Sequence, residues 1–214
     1  MALTKQQKIK PGISFLTQEV SKKWNVLADA QVRSSNKVKR IETLLLRTGL
    51  SYNINEAHSV AFGYAHKGDW QEGLSKLQYL VEHRIYQQYL YSQNLKRTEL
   101  TVCFRLEQCF IKENDAFDFS QRFRTFLSFQ IPILADKEFS KGLYTALQNE
   151  SFINVQHKER VNNLFFDQNR AYAAMGYRWN KKIDTEIGYF NWQQKESDGT
   201  TVSNVLQLTF TTTL

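Results

Sequence analysis

Proline is nearly absent from this chain, with two residues in 214, Pro11 and Pro132. Because proline removes a ladder hydrogen bond, its scarcity leaves long stretches open to strand pairing, and both prolines fall at the ends of extended runs. Cysteine is as scarce, Cys103 and Cys109 being the two, and a disulfide-stapled scaffold is excluded. Six residues apart on one extended run, they would place their Cα atoms roughly 20 Å apart, beyond a bridge, and they read as small interior side chains. No apolar run approaches the length of about 18 residues that a membrane-crossing helix needs. The opening Met-Ala-Leu-Thr-Lys-Gln-Gln-Lys lacks the apolar core of a secretory leader. No His/Asp/Glu cluster has metal-ligand spacing, and no cofactor is expected. The net charge of +7 is spread along the chain without a nucleic-acid motif, so nucleic acid is not an expected partner.

What the chain has in quantity is aromatic residues: 15 Phe, 10 Tyr and 4 Trp. Most fall on runs that alternate with period two, of which Glu99 to Phe110 is the clearest. Glu99, Thr101, Cys103, Arg105, Glu107 and Cys109 form one face, and Leu100, Val102, Phe104, Leu106 and Phe110 the other, with Gln108 the single break. A strand with polar and apolar faces meets two different solvents. At about 3.3 Å per residue it is roughly 40 Å long, enough to cross a tilted hydrocarbon core of about 25 Å.

The same code predicts strands over 12–20, 24–33, 41–52, 58–67, 81–92, 97–111, 121–133, 142–155, 167–179, 183–194 and 202–214. Short turns follow the first, third, fifth, seventh and ninth, and longer segments are expected at 68–80, 112–119, 156–166 and 195–201. That asymmetry is typical of outer-membrane barrels, with short turns facing the periplasm. Trp24, Tyr52, Tyr177 and Trp179 lie beside short turns on the apolar face, where an aromatic girdle belongs. Eleven runs cannot close with every neighbour antiparallel. The expected fold is therefore all-β, a closed antiparallel transmembrane β-barrel of 12 strands, with 10 as the alternative count. Residues 1–11 form a polar lead or partial first strand, and 12–214 the barrel.

Glu82-His83-Arg84-Ile85-Tyr86-Gln87-Gln88, Arg105-Leu106-Glu107-Gln108, Arg122-Phe123-Arg124, Ala146-Leu147-Gln148-Asn149-Glu150, Phe166-Asp167-Gln168-Asn169-Arg170 and Asn204-Val205-Leu206-Gln207-Leu208 occur in that order. As a set they resemble a family of uncharacterised outer-membrane barrels, a domain of unknown function frequent in Gram-negative Bacteroidota. The resemblance spans about residues 12–214 and implies fold and an outer-membrane location, with any leader removed. It implies no reaction or ligand. The terminal Thr-Thr-Thr-Leu departs from the terminal aromatic of many barrels, which puts insertion signalling on Phe210 or elsewhere.

Alternation assigns Arg33, Arg47, Lys67, Arg84, Arg105, Arg122, Arg124, Arg170 and Arg178 to the interior, against Asp29, Glu82, Glu99, Glu107, Glu150, Asp184 and Glu186. Unpaired interior ions cost several kcal/mol, so these charges are expected to pair across neighbouring strands. The expected core of that network is Glu82, Arg84, Arg105, Glu107, Arg122, Arg124, Glu150, Arg170 and Glu186. The expected function is a plugged, non-enzymatic barrel, a structural or accessory part of the envelope or of a larger outer-membrane complex. A small-solute pore is the alternative, and a lipid-modifying barrel enzyme ranks below it because His58 and His83 lack a matched serine and His66 and His157 border loops. Expected partners are outer-membrane lipid, lipopolysaccharide and other outer-membrane or periplasmic proteins, with Trp70 and Phe165-Phe166 offered from loops.

Overall fold

The computed structural model describes residues 3–6, 10–21, 23–34, 41–72, 77–113 and 116–213. Their strands are β1 (Leu3–Gln6), β2 (Lys10–Val20), β3 (Trp24–Ser34), β4 (Ile41–Asn53), β5 (His58–Glu72), β6 (Leu77–Leu95), β7 (Thr98–Glu113), β8 (Ala116–Ala135), β9 (Gly142–Gln156), β10 (Phe166–Asn180), β11 (Ile183–Glu196) and β12 (Gly199–Thr213). Within the expected lead, residues 1, 2 and 7–9 lie outside the described set, as do Lys22, residues 35–40, 73–76 and 114–115, and Leu214.

β3 to β12 form one uninterrupted antiparallel meander of ten strands, each paired with the next in sequence. Those ten fit the alternative count, and the expectation of 12 strands with every neighbour antiparallel is corrected. β2 continues the meander by pairing antiparallel with β3, and the departure comes at the seam, where β12 pairs in parallel with β1 and with β2. The parity argument assumed that every neighbouring pair is antiparallel. The register from Val205↔Lys10 to Thr213↔Gln18 runs in one direction instead. The sheet is strongly curled, for Arg33 on β3 lies over the Trp192 ring on β11, 5.2 Å from its centroid.

Three expected loops are shorter than the sequence suggested, 112–119 among them, since β7 runs to Glu113 and β8 starts at Ala116. β5 continues to Glu72 and β6 begins at Leu77, so Trp70 is a strand residue whose ring meets Tyr79 at 4.8 Å. Likewise 195–201 contracts to a two-residue turn between Glu196 and Gly199. The segment between β9 and β10 stays long and holds a single 3-10 turn, Lys158–Arg160. Length asymmetry between the two ends is therefore weak. Pro132 sits where the β8–β9 register shifts, between Pro132 and Leu134, a position at which a missing N–H is tolerated.

The outer face is banded. Nearest the turns that follow β2, β4, β6, β8 and β10, Trp24 packs edge-on to Tyr52 at 4.9 Å, and Tyr177 to Trp179 at 4.8 Å. Beyond them comes an exposed apolar zone that includes Phe62 (60 % exposed), Ile187 (56 %), Leu206 (49 %) and Met175 (44 %). Further along, toward the opposite end, the outward face carries a polar belt, His66, His83, Gln108, Gln121, Asn149, Ser151, Asn169, Asn191, Gln193 and Asn204, with Tyr79, Phe117 and Val155 exposed beyond it. Amides in this belt bond to one another across strands, Gln87 with Gln108 at 3.2 and 3.1 Å and Asn191 to Asn204 at 3.0 Å. Asn169 reaches both Asn149 at 3.1 Å and Ser151 at 2.9 Å.

Inside, tyrosine rings fill places where a neighbouring strand has glycine. Tyr86 lies directly opposite Gly63 and also covers Gly49. A Cβ on Gly63 would sit 2.2 Å from the Tyr86 ring and 2.5 Å from the Thr48 carbonyl. The Tyr86 hydroxyl donates to that carbonyl at 3.1 Å. Tyr144 over Gly176 and Tyr172 over Gly188 repeat the arrangement.

Candidate functional site: the charged lumen

The concave face holds the candidate site. Alternate residues of every strand from β3 to β12 point into it, and it encloses a cavity of about 720 Å³. Its lining runs from Arg33, Thr43 and Lys67 near one end to Lys181 and Lys182 in the turn at the other.

Most of the charged groups assigned to the interior by alternation meet there in three clusters. In the first, Glu82 takes two hydrogen bonds from Arg84, both 2.7 Å, and a longer contact from Lys67 at 3.7 Å. Glu107, 3 % exposed, continues the chain: Arg122 donates to it at 2.6 Å, with Arg105 at 3.6 Å and Arg84 at 3.9 Å. Arg105 gives its better hydrogen bonds to Gln88, at 2.7 and 3.1 Å, and stacks 4.4 Å over Tyr86.

The second cluster is built on Glu150, which accepts from Arg124 and, at 3.3 Å, from Arg170. Phe152 is shared between them, with Arg170 at 4.6 Å, Arg122 at 4.7 Å and Arg124 at 5.7 Å from its centroid. Trp192 carries Arg170 at 4.7 Å as well as Arg33. Arg47 pairs with Asp29 beside this group.

Toward the other end, Arg178 binds Glu99 and Asp184 together, and its guanidinium stacks on Phe139 at 4.0 Å. Phe139 comes from the β8–β9 turn, where it adopts a left-handed φ of 48° and turns its ring into the core with Tyr144, Tyr172 and Phe190. Asp136 shapes that turn by accepting hydrogen bonds from the Ser140 hydroxyl and, at 2.6 Å, from its backbone N–H. Those bonds, the hydroxyl first, hold the exposed Asp136 carboxyl below its ordinary pKa.

Glu186 departs from the expected network. The described residues offer it no cation. Its carboxylate accepts from Tyr144 at 2.9 Å, Gln130 at 3.2 Å and Tyr172 at 3.3 Å, because β11 places it opposite the tyrosine and glycine positions rather than beside an arginine. Two acids went unassigned by alternation. Asp69, on the longer β5, pairs with Lys67 at 2.5 Å, and Asp167, at a shift in the β9–β10 register, pairs with Arg122 at 3.2 Å. Counting both, among the described residues eight interior cations (Arg33, Arg47, Lys67, Arg84, Arg105, Arg122, Arg124, Arg170) face six acids (Asp29, Asp69, Glu82, Glu107, Glu150, Asp167) in the first two clusters. The third sets Arg178 against Glu99, Asp184 and Glu186.

The histidines stay out of this space. His58, His66 and His83 contact Tyr89, Tyr79 and Tyr64 on the outer face, and His157 bonds Glu159 in the β9–β10 loop. Cys103 and Cys109 are free and buried on the inner face of β7.

A family model described as "Protein of unknown function (DUF2490)" matches residues 12–203. The chain belongs to the DUF2490 family. That match runs from β2 into the start of β12 and covers every residue of the three clusters, and its description carries neither a location nor a taxonomic range. No curated protein and no solved structure matches this DUF2490 chain. The reading of its lumen therefore rests on geometry.

Proposed function

We propose that this DUF2490 protein is a closed β-barrel of the bacterial outer membrane, a non-catalytic envelope component whose lumen is braced by ion pairs. The observation that carries the reading is the banded outer face. On β10 the interval from the belt residue Asn169 to Trp179 holds Ala171, Ala173, Met175 and Tyr177 on the same face. Ten steps at about 3.3 Å, tilted by roughly 40°, give a height of about 25 Å, the apolar band of an outer-membrane barrel. A water-soluble sheet would gain nothing from exposing that zone between an aromatic row and an amide row. Lipid and lipopolysaccharide are then the contacts of the outer face. The parallel pairing of β2 with β12 closes the wall.

The test is cysteine labelling on intact Gram-negative cells that carry the protein in their outer membrane. With Cys103 and Cys109 replaced by serine, a cysteine in place of Asp198 should react with an impermeant maleimide, and one in place of Lys181 should react after permeabilisation. Labelling at Lys181 alone on intact cells reverses the orientation. Recovery of the protein in the soluble fraction overturns the membrane reading.

A second reading, a small-solute pore, is favoured by the cavity, which is lined from Lys67 to Lys182 rather than packed shut. Steady conductance of the purified protein in planar bilayers, with selectivity altered by exchanging lining charges, would establish it over the plugged form.

A further inference from the structure

Arg33 differs from the other interior arginines. Among the described residues it has no carboxylate partner, and its contacts are a long hydrogen bond to Gln31 at 3.4 Å and the Trp192 face. Burying a guanidinium without a counter-charge costs several kcal/mol, yet the fold holds it beside Arg170, which stacks on the same indole ring at 4.7 Å. Arg170 must share Glu150 with Arg124. One carboxylate therefore serves a row of three cations. A second observation points the same way: Arg124 is 8 % exposed, and its Nε–H has no hydrogen-bond partner. Arg33, Arg124, Arg170 and Glu150 all line the cavity.

We propose that the arginine row beside Glu150 is a binding site for a small polyanionic solute, a molecule carrying two or more carboxylate or phosphate groups. Guanidinium forks match the oxygen pairs of such groups, and the excess of cations over acids in this half of the lumen supplies the charge that the ligand neutralises. The space, about 720 Å³, falls in the ordinary range of small-molecule sites. Trp192 and Phe152 hold the arginine planes in place by stacking, so the site is preorganised. Because these side chains point into the lumen, the ligand is a free solute rather than a lipid headgroup. The inference goes beyond the envelope reading and holds whether or not the lumen conducts.

The test is isothermal titration calorimetry of the full chain, folded in nonionic detergent at low salt, with citrate and inorganic pyrophosphate as probes. Saturable one-to-one binding of either probe is expected. Arg33→Gln breaks no ion pair and should weaken binding roughly tenfold or more, the loss expected for one charge-assisted contact. Lys137→Gln, in the exposed β8–β9 turn outside the cavity lining, should leave it within about twofold. Should the glutamine variant fail to fold, Arg33→Lys, which keeps the charge and loses the fork, should still weaken binding. Absence of saturable heat from both probes, or unchanged affinity in the folded Arg33 variants, overturns the site. Competition by phosphatidylglycerol added to the micelles would assign the site to lipid and overturn the free-solute class.

Discussion

Arg178 on β10 holds the carboxylate of Glu99 on β7 by two hydrogen bonds, Nη1 to Oε1 at 2.7 Å and Nη2 to Oε2 at 2.9 Å, across 79 residues of sequence. β8 and β9 lie between these strands, so the pair is a strut through the interior rather than a neighbour contact. Arg178→Gln should leave Glu99 and Asp184 without a cation and cost about 3 kcal/mol. Adding Glu99→Gln should cost less than the sum of the two single changes, as coupled partners do. Thermal unfolding followed by heat-modifiable electrophoretic mobility reads both, and strict additivity would show that the strut carries no coupling.

Gly63→Ala should destabilise the fold by about 1–3 kcal/mol, because the new methyl group meets the Tyr86 ring and the Thr48 backbone at once. In a Tyr86→Ala background the same change should cost less. Unfolding midpoints of the four proteins in the cycle provide the check, and an equal penalty in both backgrounds would remove the ring from the explanation.

The outer bands make a paired prediction on one strand. Ile187 and Asn191 lie on the same face of β11, four residues apart, one in the apolar zone and one in the amide belt. Ile187→Arg should cost about 2–4 kcal/mol in lipid vesicles and Asn191→Arg no more than about 1. Folding yields into vesicles measure the difference, and equal losses would mean that the belt does not mark the edge of the hydrocarbon.

Asp136 gives a pH signature outside the apolar zone. Its carboxyl is held below the ordinary value of about 3.9 by the Ser140 hydroxyl and N–H. The turn's stabilisation is therefore complete above that value and is lost as pH falls through the lowered one. The Ser140 amide resonance should titrate with a midpoint below about 3.9 and become pH-independent in Asp136→Asn. A midpoint at or above the ordinary value would refute the bonding pattern.

Much of the fold is legible because a two-sided strand writes its environment into every second residue. The alternation at Arg122, Arg124, Ser128 and Gln130 on β8 names the inner face directly, and the structure places those residues there. Alternation fails where spacing is not the determinant. Asp69 is hidden because Gly68 reads as a loop signal, although the Tyr79 ring packs over Gly68 as part of the β5–β6 pair. Asp167 sits at a register shift that no local pattern announces. Phe139 enters the core from a turn through a positive φ unusual for its type, and Glu186 looks like any other interior acid until its tyrosine neighbours are known. Pairing across the lumen depends on curvature, which the sequence of a single strand does not record.

The tyrosine-filled glycines bear on how such a wall finds its alignment. Side-chain alternation forbids a slip of one residue, since every side chain would change faces. A slip of two keeps the faces and passes that test. Moved two residues along β5, the Tyr86 ring would meet Ala61 or Ala65 instead of Gly63, and a methyl group would stand where the ring must lie. Tyr144 over Gly176 imposes the same condition between β9 and β10. The notches therefore act as keys that accept one register and reject its even-numbered neighbours, so correct assembly is selected by shape at positions where hydrophobic patterning cannot discriminate.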